Sequence, residues 1–208
     1  MQARFDAAIA ARDFDAIATL FHTDHQEIDH PTGSSYGGEA AVDSLRRLFR
    51  SRAPHYDAEP LATLGEFLLL VRRRSGAAGT ANSRYDVGAY ENEAFQLFEV
   101  DEHGRARRAE VFAGDRLGEA IARLYRRHAE LLPDGAGRER AAATARAMGT
   151  ILTAPDDLDR VAAVIAPDFE SIDNRHLSTR QGFLGAHELG VAVTEQAGDA
   201  SFRRLHAD

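Results

Sequence analysis

The sequence predicts an α+β fold of helices and long antiparallel strands, followed by a partial second copy of its own first half. Three observations lead there. Helical periodicities occupy residues 2–22 and 39–49, strand-like segments occupy residues 64–113, and a stretch beginning at residue 13 recurs 144 positions later.

Residues 2–12 and 13–22 read as two short helices. Phe5 and Ile9 lie four apart, and Phe14, Ile17, Leu20 and Phe21 form a stripe of 3.6-residue period. Asp13 stands between them as an N-cap. "HQEIDH" (25–30) reads as a short strand and "PTGSSYGG" (31–38) as a turn by composition. From Glu39, the spacing of Val42, Leu45, Leu48 and Phe49 gives an amphipathic helix. Strands are expected at about 64–74, 84–100 and 105–113. "DEHG" (101–104) joins the last two as a hairpin, with Gly104 free to take a positive φ. "RLGEAIARLYRRHAELL" (116–132) reads as a helix, and "PDGAGRER" (133–140) as a linker.

Beyond the linker the pattern restarts. At an offset of 144, "RDFDAIATLF" (12–21) aligns with "DDLDRVAAVI" (156–165), and positions 13–45 share nine identities with 157–189, without a gap. About two would be expected by chance. This predicts a tandem duplication: a first domain over residues 1–132, the linker, and a partial repeat over 141–208. The repeat lacks the strands that complete the first sheet, so it either packs on the first copy or belongs to a longer chain.

The formal net charge of −8 weighs against non-specific nucleic-acid binding. The arginine clusters at 72–74 and 105–108 read as solvated strand faces. The chain has no cysteine, so disulfides, thiolate metal sites and cysteine nucleophiles are excluded. "MQARFDAAIAARDFD" does not read as a signal peptide. Apolar runs such as "FLLLV" (67–71) are too short to span a bilayer. A cytoplasmic protein without a membrane partner is expected. No glycine-rich nucleotide motif is present and no cofactor is implied.

Chemistry concentrates in "FHTDHQEIDHPTG" (21–33), which holds His22, His25 and His30. A metal site shared by both copies is excluded, because the repeat has Ala166, Phe169 and Asn174 at these places. No metal is expected. Asp29 recurs as Asp173. It reads either as a cavity carboxylate or as an acceptor for backbone N–H groups in the "HPTG" turn. Along 90–100, a two-residue period puts Tyr90, Asn92, Gln96 and Phe98 on one face, with the small, polar and aromatic mixture of a ligand site. Tyr36 offers a further hydroxyl.

The stretches "ARDFDAIATLFHTDHQEIDHPTGSSYGGEAAVDSLRRLF" (11–49) and "FQLFEVDEHGRARRAEVF" (95–112) resemble the NTF2-like superfamily, which includes SnoaL-like and ketosteroid-isomerase-like proteins. The resemblance implies a sheet wrapped around helices with a conical pocket. It places a general base just before a proline at the end of the first strand, which is His30 here, with Asp29 assisting. A tyrosine that would serve the oxyanion falls at Phe5, which cannot donate. A second acid falls at Gln96, which donates only through its amide. It makes the face bearing Gln96 the inner one.

Two readings stay open. One is a small-molecule-binding or dimerising module, part of a larger bacterial regulator, with a small hydrophobic ligand and either a homodimer or packing between the two repeats. The other is an enzyme doing acid–base chemistry on a hydrophobic carbonyl substrate through His30.

Overall fold

A computed structural model describes residues 1–81, 86–166, 170–172 and 181–183. The chain divides into two compact units, residues 1–128 and 129–208.

The first unit opens with α1 (Gln2–Ala11) and α2 (Phe14–Thr19). The Asp13 carboxylate accepts from the Ala16 N–H at 2.9 Å, so the expected cap starts α2. Strand β1 (Phe21–Asp29), strand β2 (Ser34–Gly37) and helix α3 (Gly38–Phe49) follow. The expected turn is therefore shorter than its composition suggested, because its second half pairs with β1. Four long strands complete the main sheet with short β5 (Thr80–Ala81) and β6 (Asp86–Val87) between them: β3 (His55–Leu64), β4 (Leu68–Ala77), β7 (Tyr90–Val100) and β8 (Ala106–Ala113). Helix α4 (Leu117–Leu131) starts in this unit.

The sheet order is β2-β1-β8-β7-β4-β3. Neighbours are antiparallel except β1 and β8, which run parallel. The expected all-antiparallel sheet is corrected at this one seam. Register shifts interrupt β1, β3 and the pairing of β7 with β8. Such bulges bend strands and increase twist, which curves a sheet. At the "DEHG" hairpin, Gly104 has φ 70° and Asp101 accepts from the N–H groups of His103 and Arg105.

Two layers cover the sheet. On one face Leu68, Leu70, Phe95, Leu97 and Phe112 bury against Ala120 and Leu124 of α4. On the other face Val71, Phe98, Ala106 and Ala109 form a second core group. Phe5, Ile9, Ile17, Leu20 and Val42 bind α1, α2 and α3 into a layer that reaches Phe21 and Tyr56 of the sheet.

The α4 face carries a buried carboxylate. Glu110 is 2% exposed. It accepts from Arg123 Nε at 3.0 Å and from Arg108 Nε at 2.9 Å, and it lies 3.0 Å from His30 Nε2. These contacts tie β8 to α4 and to the end of β1.

In the second unit, α5 spans Ala136–Thr153 and α6 spans Leu158–Ala162. Residues 136–140, the second part of the expected linker, begin α5. Asp157 caps α6 by accepting from the Arg160 N–H at 3.2 Å, with φ −89° and ψ 82°, against −87° and 87° for Asp13. Strands β9 (Glu170–Ile172) and β10 (Gln181–Phe183) pair antiparallel. Asp173 and Asn174, the counterparts of Asp29 and His30, lie outside the described residues. Among the described residues, no helix is long and apolar enough to cross a membrane.

Burial by itself would raise the Glu110 carboxyl, but the hydrogen bonds from Arg123, Arg108 and His30 outweigh it and hold the group down at about 2. An acid depressed in the folded state adds stability above its unfolded pKa and loses it as pH falls toward the folded one. Glu110→Gln is therefore expected to lose roughly 1.5–3 kcal/mol at pH 7, the worth of hydrogen bonds to a charged group. In urea unfolding, its gap to the wild type should close between about pH 5 and pH 2. A gap that stays constant over that range would remove the ion cluster as its source.

Candidate functional site

A cavity of about 260 Å³ lies between the sheet and the α1–α3 layer. Its apolar wall includes Phe5, Leu45, Leu48 and Phe98, and its polar lining includes Glu27, Asp29, Arg73 and Gln96. Tyr36, Tyr56, Tyr90 and Asn92 also line it, with Tyr90 and Asn92 exposed. Phe5 and Tyr56 stack with ring centroids 5.8 Å apart.

Strand geometry decides who enters. Successive side chains on a strand point to opposite faces. On β7 this sends Gln96 and Phe98 to the cavity, while Phe95 and Leu97 join the core under α4. On β1 it sends Glu27 and Asp29 to the cavity. His30, one residue further, goes the other way, bonding to Glu110 with its ring 4.6 Å from that of Phe112. The structure thus places Asp29 on the cavity and His30 beside Glu110, and does not bring the two together. Asp29 also holds the turn. Its Oδ1 accepts from the Thr32 N–H at 2.9 Å and the Thr32 hydroxyl at 2.8 Å.

Among the lining residues that sequence reasoning missed, two carry ionisable groups. Glu27 is 4% exposed and sits directly opposite Tyr36 in the β1–β2 register. The Tyr36 hydroxyl donates to Glu27 Oε1 at 2.7 Å. Burial pushes the Glu27 carboxyl above its ordinary pKa, and the Tyr36 hydrogen bond and the nearby Arg73 charge only partly oppose this. Burial and the Glu27 contact push the Tyr36 hydroxyl up in turn.

Arg73 is the second. In the run Arg72–Arg73–Arg74, Arg72 donates to Glu59 at 2.6 Å, and Arg74 pairs with Glu59 and Glu93. Arg73 instead faces the cavity. Its Nε is buried without a hydrogen-bond partner, and no ion pair links its guanidinium to another described residue. The alternation of Glu27 with Asp29, and of Arg73 with its neighbours, was available in the sequence as a two-residue period.

Among the described residues, no three His, Asp or Glu side chains gather as metal ligands. His22 Nδ1 accepts from the Asp24 N–H, and the buried His25 places Nδ1 3.0 Å from the Ala106 carbonyl.

Helix, helix, strand, short strand, helix and then long strands around a cavity is the order that the sequence resemblance implied. Solved structures similar to this chain include a candidate polyketide cyclase from Xanthomonas campestris pv. campestris, 20% identical over 59% of this chain and 92% of that one, with a TM-score of 0.42. An LEH-like epoxide hydrolase from M. tuberculosis is 18% identical over 53% and 74%, with a TM-score of 0.39. A protein with a ketosteroid isomerase-like fold from Catenulispora acidiphila, bound to trimethylamine, is 14% identical over 55% and 85%, with a TM-score of 0.40. No family model matches the chain. No curated protein matches it.

An acid raised in the folded state adds stability only while protonated, and that stability is lost as pH rises through the folded pKa. Glu27→Gln keeps an acceptor for Tyr36 and removes the charge. Relative to wild type, it should gain in thermal stability between pH 4 and pH 7. In a carbon NMR titration, the Glu27 carboxyl should titrate above 4.5. Tyr36→Phe should move it higher still, because the lost hydrogen bond favoured the ionised form. A downward move would contradict the contact.

Proposed function

We propose that residues 1–132 form a small-molecule-binding module whose ligand occupies the cavity lined by Phe5, Tyr36, Tyr90, Asn92, Gln96 and Phe98. The observation that carries this reading is Glu27. A buried carboxyl held above its ordinary pKa weakens the fold at neutral pH, and such groups cluster at functional sites. The cavity volume lies just below the ~300–1,000 Å³ typical of ligand pockets, which suits a small ligand with an apolar body. In this proposal the module acts in the cytoplasm as part of a larger bacterial regulator, alone or as a homodimer.

The proposal includes a partial second copy over residues 141–208, joined through the linker over 133–140. Supporting it are the nine identities and the matched caps at Asp13 and Asp157. The strand pairing differs in detail. Ile28 pairs with Ser35, whose counterpart is Thr179, whereas Ile172 pairs with Gln181, two residues further on.

A second reading, proton transfer on a hydrophobic carbonyl substrate, is favoured by the contact between Glu27 and Tyr36. In it Glu27, rather than His30, moves the proton, and Tyr36 steadies the carboxylate.

Ligand-observed NMR with small aromatic compounds should detect binding. Leu45→Trp, which fills the cavity, should abolish it in a folded protein. Binding unaffected by Leu45→Trp would remove the cavity from the proposal. If the second reading holds, Glu27→Gln should cost roughly two to four powers of ten in turnover. His30→Ala should leave turnover near wild type. The reverse order would return the base role to His30.

A further inference from the structure

We propose that the cavity selects an organic anion, a small carboxylate with an apolar or aromatic body, and that Arg73 is the residue that recognises it. The inference rests on the binding reading above and names the chemical class of the ligand.

The argument is one of unmet hydrogen-bonding capacity. Each acid in the cavity already has donors. Glu27 receives the Tyr36 hydroxyl, and Asp29 receives the N–H and hydroxyl of Thr32. Burial further favours the neutral form of Glu27, which lowers its repulsion of an anion. Arg73 is in the opposite position. It is always protonated and has donors only. Its Nε is buried without an acceptor. Both flanking arginines have carboxylates on the other face of the strand, so the missing partner is peculiar to the cavity. A buried donor left unpaired is costly, and a guanidinium fork fits a carboxylate through two parallel hydrogen bonds. Arg73 Nε therefore lacks an acceptor, and a carboxylate supplies it with matching charge and geometry. The Phe5 and Phe98 side chains line the same cavity and can receive the apolar body.

Calorimetry on the full chain with three probes of one shape tests this: 2-naphthoate, 2-naphthamide and 2-naphthylmethylamine. The naphthoate should bind roughly tenfold to a hundredfold more tightly than the neutral amide, the usual worth of a hydrogen bond to a charged group. The amine should bind most weakly. Arg73→Met, checked for folding by circular dichroism, should equalise naphthoate and amide. Arg73→Lys should retain part of the preference, since it keeps the charge and loses the fork. If Arg73→Met fails to fold, the wild-type order of the probes and the Arg73→Lys ratio still decide. Equal binding of acid and amide by the wild type, or an acid preference unchanged in Arg73→Met, would overturn anion recognition and leave the binding module standing. Tightest binding of the amine would overturn it in favour of the acids. Failure of all three probes to bind would overturn both this inference and the binding reading.

Discussion

A side chain on a strand can look only one way, and this constraint organises the whole of the first unit. One residue along β1 separates the cavity from the core beneath α4. Glu27 and Asp29 therefore meet Arg73 and Gln96 across one side of the sheet, while His30 meets Glu110 on the other. The same chain segment serves two chemistries without mixing them. On the cavity side charges have few partners, and on the α4 side they are densely paired. That contrast distinguishes the two faces of the sheet.

The paired side is also what makes the open side tolerable. Glu110 is buried on a central strand, and its ring of Arg108, Arg123 and His30 compensates the desolvation. The cluster anchors the end of β1, the strand that carries Glu27. The turn beyond it is fixed separately by Asp29 and Thr32. Glu27 is thus presented from a strand held at its end, which suits a group whose burial destabilises the fold.

Much of this was legible in the sequence, and the failures have physical reasons. The Asp13 cap and the "DEHG" hairpin were readable because both are local, with each donor and acceptor within four residues. The strand His55–Leu64 went unseen because it is an edge strand. Its side chains are mostly exposed, and Pro60 sits beside a register shift, where a missing N–H is harmless. The parallel pairing of β1 with β8 was not readable, because it joins segments about eighty residues apart and leaves no periodic trace. In the site, period-2 counting located Gln96 and Phe98. The assignment of His30 followed its place before Pro31 instead of that count, and that residue sits beside Glu110 rather than on the cavity. Arg73 was hidden in a run of like charge, where composition suggested one solvated surface and alternation divides it.

The parallel seam between β1 and β8 also sets an order of assembly. β1 has β2 on one side and β8 on the other, so the N-terminal helices and their hairpin have no place in the sheet until residues 106–113 exist. On a ribosome, the antiparallel group of β3, β4 and β7 can pair as it emerges, since each contact is with a near neighbour. The first fifty residues must wait. Contacts this distant in sequence carry a large loop-closure cost and slow folding. The cavity needs both Glu27 and Arg73, so it comes into being with that last docking step. A nascent chain stopped before β8 has the components of the cavity and no cavity.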